Sequence, residues 1–139
     1  MTTARDVMST GCQCIKEGQS LQEAATMMRD LGVGSLPICG NDDKLKGMLT
    51  DRDIVVKCIA EGGDCSSMTA GELAQGQVCF VDCDADIDSA LAIMREHQVK
   101  RLPVIEEHRL VGMISESDIS THLDKNRVSG FVSEVYAPS

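Results

Sequence analysis

Apolar residues recur along this chain in two rhythms, and the same succession of rhythms appears twice. In "SLQEAATMMRDL" (20–31), Leu21, Ala24, Ala25, Met28 and Leu31 fall at helical spacing on one face. Ser20, with Glu23 three positions later, supplies a capping box at the start of that helix. In "DIDSALAIMREH" (86–97), Ile87, Ala90, Leu91 and Met94 form the matching face. Each helix is followed by a short apolar run, "LPIC" (36–39) or "LPVI" (102–105), which predicts a buried strand. Its proline stands early, where a ladder donor can be spared. A polar turn, "GNDDK" or "EEHR", then leads into an antiparallel partner, "LKGML" or "LVGMI". Upstream, Thr3 and Thr69 each precede an acid by three residues (Asp6, Glu72) and open a short helix, with a short strand expected around 13–16 and 78–82.

A shift of 66 residues lays one half on the other: Leu21 meets Ile87, Ala24 meets Ala90, Met28 meets Met94, and Arg29 meets Arg95. Leu36-Pro37 meets Leu102-Pro103, and after a one-residue deletion Gly47-Met48 meets Gly112-Met113. The chain is a tandem repeat. A strand–helix–strand step needs a right-handed crossover, which makes the first two strands of each copy parallel. The fold class is therefore α/β (α+β), two βαββα repeats with pseudo-two-fold symmetry, over residues 4–66 and 67–123. A unit of about 60 residues buries too little to stand comfortably alone, so the copies are expected to share cores. In the tail, 124–139, Val128, Phe131, Val132, Val135 and Tyr136 form a helical stripe suited to packing or to a dimer surface.

Composition narrows the partners. Of 139 residues, 42% are apolar and 25% charged, which is globular. With two Phe, one Tyr and no Trp, the core must be aliphatic, aided by eight adaptable methionines. A net charge of −9 argues against nucleic acid, which requires clustered Lys and Arg. No apolar run is long enough to span a membrane, and "MTTARDVMS" lacks a secretory apolar core, so a cytoplasmic location is expected.

The sharpest motif is doubled as well: "GMLTDRDIV" (47–55) and "GMISESDIS" (112–120). Together with the element order, it resembles a pair of CBS domains, the regulatory Bateman module, over about residues 4–123. The blocks "TTARDVM" and "LPICGNDDKLKGMLTDRDIVVK" sharpen the resemblance toward stand-alone CBS pairs of stress and hypoxia responses. It implies a non-catalytic sensor that forms a homodimer, requires no cofactor, and takes adenosine ligands such as AMP, ADP, ATP, S-adenosylmethionine or NAD in clefts between repeats. It also implies an as yet unknown protein partner. Carried over, Asp53 and Asp118 would hold ribose hydroxyls, and Thr50 and Ser115 would reach phosphate. The strands containing Pro37 and Pro103 would line the adenine.

Two readings of the motif stand side by side. A helix N-terminus offers N–H donors and a positive dipole end to phosphate, and a carboxylate one turn in can accept from a ribose diol. Equally, Thr50 with Asp53 and Ser115 with Asp118 have N-cap and N3 spacing, worth about 1 kcal/mol with no ligand present. Asp51 and Glu116 add negative charge, balanced in the first copy only by Arg52. The second copy has Lys100 and Arg101 where the first has Gly34 and Ser35, so a phosphate would favour the site with Arg101 and Asp118. The alternative for Lys100 and Arg101 is a solvated turn.

Seven cysteines and no CxxC disfavour both a thioredoxin-like site and a zinc ribbon. Cys14 and Cys39 are expected on neighbouring parallel strands about 4.8 Å apart. They could close a disulfide loop of about 25 residues or remain two packed thiols. Cys79 and Cys83, on one side of an extended stretch, would lie about 13 Å apart and cannot share one metal unbent. The three histidines, His97, His108 and His122, are scattered, and no triad, metal motif or phosphate-cradling loop appears, so no catalytic residue and no metal ligand is assigned. The alternative to a sensor is a redox- or stress-responsive interaction protein with empty clefts, whose cysteines or surface carry the role.

Overall fold

A computed structural model describes residues 2–74 and 78–122. The elements run α1 (Ala4–Val7), β1 (Ile15–Lys16), α2 (Leu21–Leu31), β2 (Ser35–Cys39), β3 (Leu45–Thr50) and α3 (Asp51–Ile54). A π-helical turn, Val55–Ile59, continues α3. The second repeat follows as α4 (Ala70–Leu73), β4 (Val81–Asp82), α5 (Ile87–His97), β5 (Arg101–Glu106), β6 (Arg109–Ser115) and α6 (Glu116–His122). Each repeat builds a three-stranded sheet, β1-β2-β3 or β4-β5-β6. Its first pair is parallel and its second antiparallel, as the crossover argument requires. The tail stripe, Val128 to Tyr136, lies outside the described residues.

The first strands are shorter than expected, only two residues each, and this explains the prolines. β2 is the middle strand, yet β1 pairs with Ile38 and Cys39 alone. At Pro37 the strand has a ladder on one side only, so a missing N–H is tolerated. Pro103 stands in the same position, since β4 pairs only with Val104 and Ile105. Cys79 precedes β4 rather than lying in a strand with Cys83, because pairing begins only at Val81.

Capping fixes the helix starts. Glu23 N donates to Ser20 Oγ at 3.1 Å, and Ser20 N donates to the Glu23 carboxylate at 3.1 Å. Thr3 N and Thr69 N donate likewise to Asp6 and Glu72, at 2.9 and 2.8 Å. Leu21, Ala24 and Met28 of α2 are buried, but Ala25 and Leu31 are exposed. The buried stripe on α2 is narrower than its periodicity suggests: Ala25 on one flank and Leu31 in the last turn are left in solvent. In α5 all four expected positions, Ile87, Ala90, Leu91 and Met94, are buried.

The chain separates into two compact units, and these do not follow the order of the repeats. One comprises Gln13–Val78; the other joins Met1–Cys12 to Cys79–Ser139. The short helices are exchanged. In the second unit α1 docks on the α5 sheet: Ala4 N donates to Ala85 O, Arg5 N to Cys83 O, and Ser9 N to Met113 O, at 2.9, 3.0 and 2.8 Å. Ala4 and Val7 enter its core beside Val81, Ile87 and Ile114. In the first unit α4 does the same, with Ala70 N donating to Gln19 O at 2.8 Å and Ala70 and Leu73 packing with Ile15, Leu21 and Leu49. A small repeat thereby gains apolar area that its own contiguous chain does not supply.

Candidate functional site

Both units place the doubled motif at one corner, where the last strand turns into the last helix. In the first unit the strand register sets Ser35 opposite Thr50. Thr50 is the N-cap of α3: Asp53 N donates to Thr50 Oγ1 at 3.0 Å and Thr50 N donates to Asp53 Oδ2 at 2.9 Å. Lys57, one turn on, lies 3.5 Å from the other Asp53 oxygen. Asp51 N donates to Gly34 O at 2.9 Å, and the Asp51 carboxylate rests so close to Gly34 that an added Cβ would meet it at 3.4 Å. Arg52 is exposed beside this corner.

In the second unit the same register sets Arg101 opposite Ser115. That brings a cation to the strand end where Ser115 and Asp118 lie, and it gives Arg101 a position that a free turn would not. Lys100, its neighbour, is exposed on the approach to β5. Ser115 N and Ser115 Oγ both donate to Asp118 Oδ2, at 2.9 and 3.0 Å. The remaining oxygen accepts from Ser9 Oγ at 2.5 Å. Glu116 is half-buried at the start of α6. Pro37 and Pro103 are both buried, facing Met48 and Met113 across their sheets. In the first copy Thr50 and Asp53 cap the helix reciprocally, whereas in the second the Asp118 carboxylate accepts from both the backbone N–H and the hydroxyl of Ser115.

Two groups here were not read from the sequence. Lys57 was legible in principle, since i,i+4 after Asp53 is a helical ion-pair spacing. Ser9 was not: 109 residues separate it from Asp118, and only the exchange of α1 brings them together.

The sequence model of the CBS domain matches this chain twice, over residues 4–59 and 70–125. The chain belongs to the CBS-domain family. This CBS pair is 51% identical over 138 residues to hypoxic response protein 1 of Mycobacterium tuberculosis, covering 99% of this chain and 96% of that protein. A crystal structure of hypoxic response protein I with two coordinated zinc ions is similar at TM-score 0.82 and 54% identity, over 88% of this chain and 100% of that one. A crystal structure of CBSX2 in complex with AMP is similar in fold at TM-score 0.75 and 20% identity, over 87% of this chain and 95% of that one. Among the described residues, no helix of the CBS pair is long and apolar enough to cross a membrane.

The zinc of that relative prompts a test of the residues present in the CBS pair. Among the described residues one group of three donors comes together, Asp82, Cys83 and Asp84, with ligand atoms within 4.8 Å of one another. Arg5 already faces it, donating to Cys83 Sγ at 2.9 Å and to the Glu106 carboxylate. Burial pushes the Cys83 thiol up, and its hydrogen bond to Glu106 adds to this. The Cys83 sulfur is thus already taken by a guanidinium, and a zinc ion there would have to displace Arg5, so this group as it stands does not fit zinc. His97, His108 and His122 are exposed at the end of α5, in the β5–β6 turn and at the end of α6.

The cysteines fall into distinct surroundings. All seven are free thiols. Cys14, just before β1, is half-buried, and Cys39 is buried at the end of β2. Burial, together with a hydrogen bond to Cys14, pushes the Cys39 thiol up to about 12.

Proposed function

We propose that this CBS pair is a non-catalytic regulatory module that binds an adenosine-containing ligand of the AMP, ADP or ATP type and signals as a homodimer under stress such as hypoxia. The observation that carries the reading is the register pairing of Arg101 with Ser115, one turn from Asp118. It sets a cation, a helix N-terminus and a carboxylate at one corner, the groups a nucleotide's phosphate and ribose require. The first copy repeats the corner with Thr50 and Asp53 but has Ser35 in place of the arginine. Phosphate would therefore favour the second copy, with Lys100 adding charge nearby, and Pro37 and Pro103 would back the adenine. The AMP complex of a CBS relative supports the ligand class.

Dimerisation is supported by apolar residues left in solvent after α3: Val55, Val56 and Ile59 are 53%, 45% and 59% exposed. Association would remove them from water. Sedimentation of wild type and of an Ile59→Asp variant tests it, with a twofold fall in mass expected for the variant.

Ligand binding is tested by titrating purified protein with AMP, ADP and ATP while following the melting temperature. Ligand at a hundredfold over its dissociation constant stabilises by about 2.7 kcal/mol. Arg101→Ala should weaken the response to ATP more than the response to adenosine, and Asp118→Asn should weaken both. No shift with any adenosine ligand sinks the sensing model. The second reading, a redox-responsive interaction protein, draws on the hydrogen bond between Cys14 and Cys39, a pair we propose can form a disulfide. Loss of these two thiols on oxidation, together with silence toward nucleotides, would favour it.

A further inference from the structure

A second cysteine pair lies on the far end of the helix that begins at Thr50. Cys58 sits on the π-helical turn with its side chain fully buried in the core of the first unit, among Ile54, Ala70 and Leu73. Cys65 is half-buried in the loop beyond. Their sulfurs are 2.9 Å apart, in hydrogen-bond contact. The backbone holds both ends of this arrangement. Gly63 N donates to Cys58 O at 2.8 Å, which folds the loop back over the turn. Gln22 N donates to Cys65 O, and Leu21 N to Met68 O, both at 2.9 Å, which ties the loop to the start of α2. The fold-back brings Gly63 close to its neighbours: a Cβ there would meet Met68 Sδ at 2.8 Å and Cys58 O at 3.2 Å.

We propose that Cys58 and Cys65 are a redox-modification site, a dithiol that closes reversibly to a disulfide and staples the end of the α3 turn to the loop docked on α2. The oxidant is a small-molecule disulfide of the glutathione class. Cys65, the more exposed sulfur, attacks as thiolate; the S–S bond of the oxidant breaks and one glutathione thiolate leaves. Cys58 then gives up its proton and attacks the Cys65 sulfur of the mixed disulfide, expelling the second thiolate. The two leaving thiolates take up the two protons, so two protein thiols lose two electrons and one disulfide is reduced to two thiols. The hydrogen bond to Cys65, with burial, pushes the Cys58 thiol up to about 11, which disfavours it in the first step; its place 2.9 Å from the Cys65 sulfur is what lets it resolve the mixed disulfide. Closure brings the sulfurs from 2.9 Å to the bonded distance of about 2.05 Å.

The test uses the full chain with Cys14→Ser and Cys39→Ser, which removes the other candidate pair and leaves five of the seven cysteines. Reduced protein is incubated with oxidised glutathione, denatured, its thiols counted, and the peptides mapped without reduction. The expected result is a fall of two thiols, a peptide linking Cys58 to Cys65, and full recovery with dithiothreitol. Adding Cys65→Ser, a substitution at a half-exposed loop position, should abolish the loss, and Cys58→Ala should leave a stable glutathione adduct on Cys65. An unchanged thiol count overturns the proposal, as does a link from either residue to another cysteine, or an adduct at Cys65 that never resolves in protein still carrying Cys58.

Discussion

At the scale of single residues, the informative contacts are those made across long stretches of chain. Arg5 donates to Glu106, and this hydrogen bond, with a second from Cys83, holds the Glu106 carboxyl below its usual range. Asp6 is lowered too, by the backbone N–H and then the hydroxyl of Thr3. A depressed carboxylate stabilises the fold above its unfolded pKa, and that contribution is lost as pH falls through the folded value. Docking of α1 should therefore loosen in acid, from about pH 4 downward. We expect amide protection of residues 4–9 to fall over that range in wild type. In Glu106→Gln it should be lower already at neutral pH and change less on acidification. Both groups are exposed, so the effect should shrink in high salt. Hydrogen exchange across pH checks this. Asp6 was legible from its place three residues after Thr3, whereas the Arg5–Glu106 pair was not, because nothing in local spacing links positions 101 residues apart.

Elements were legible to the degree that local physics specifies them. Caps at Ser20, Thr50 and Thr69 were read correctly because each depends on two residues three positions apart. Strand pairing followed from the crossover rule, but strand length did not, because only the partner decides where a ladder ends. Periodicity puts Ala25 and Leu31 on the buried face of α2, yet both are exposed, because spacing along a helix does not say how much of its surface its neighbours cover. Glycines at docking points are the sharpest test at this level. A Cβ on Gly71 would lie 2.8 Å from Glu17 O, a backbone atom with little freedom to move. Gly71→Ala should cost about 1–3 kcal/mol by overpacking where α4 meets β1. Gly18→Ala, with nothing near its Cβ, should change stability far less. Urea denaturation of the two variants makes the comparison.

For the whole molecule, the exchange of α1 and α4 makes each compact unit depend on a segment from the other repeat. Deleting residues 2–9 should strip Ala4 and Val7 from the second unit's core, with about 2 kcal/mol lost for burial of Val7 alone. It should also free Asp118 from Ser9. Hydrogen exchange should then show lost protection across residues 81–119, while residues 15–58 keep theirs. Uniform loss in both would contradict the assignment of α1 to one unit.

From the sequence alone came the tandem repeat, the order of elements, the capped helix starts and the doubled motif, because each is written in residues close together or in a comparison of the chain with itself. Tertiary structure decided which short helix serves which core, that Ser9 occupies Asp118, that Arg101 faces Ser115, and that Cys58 meets Cys65. Those outcomes depend on where the chain folds back on itself and on which surfaces remain to be covered. Spacing along a sequence records neither.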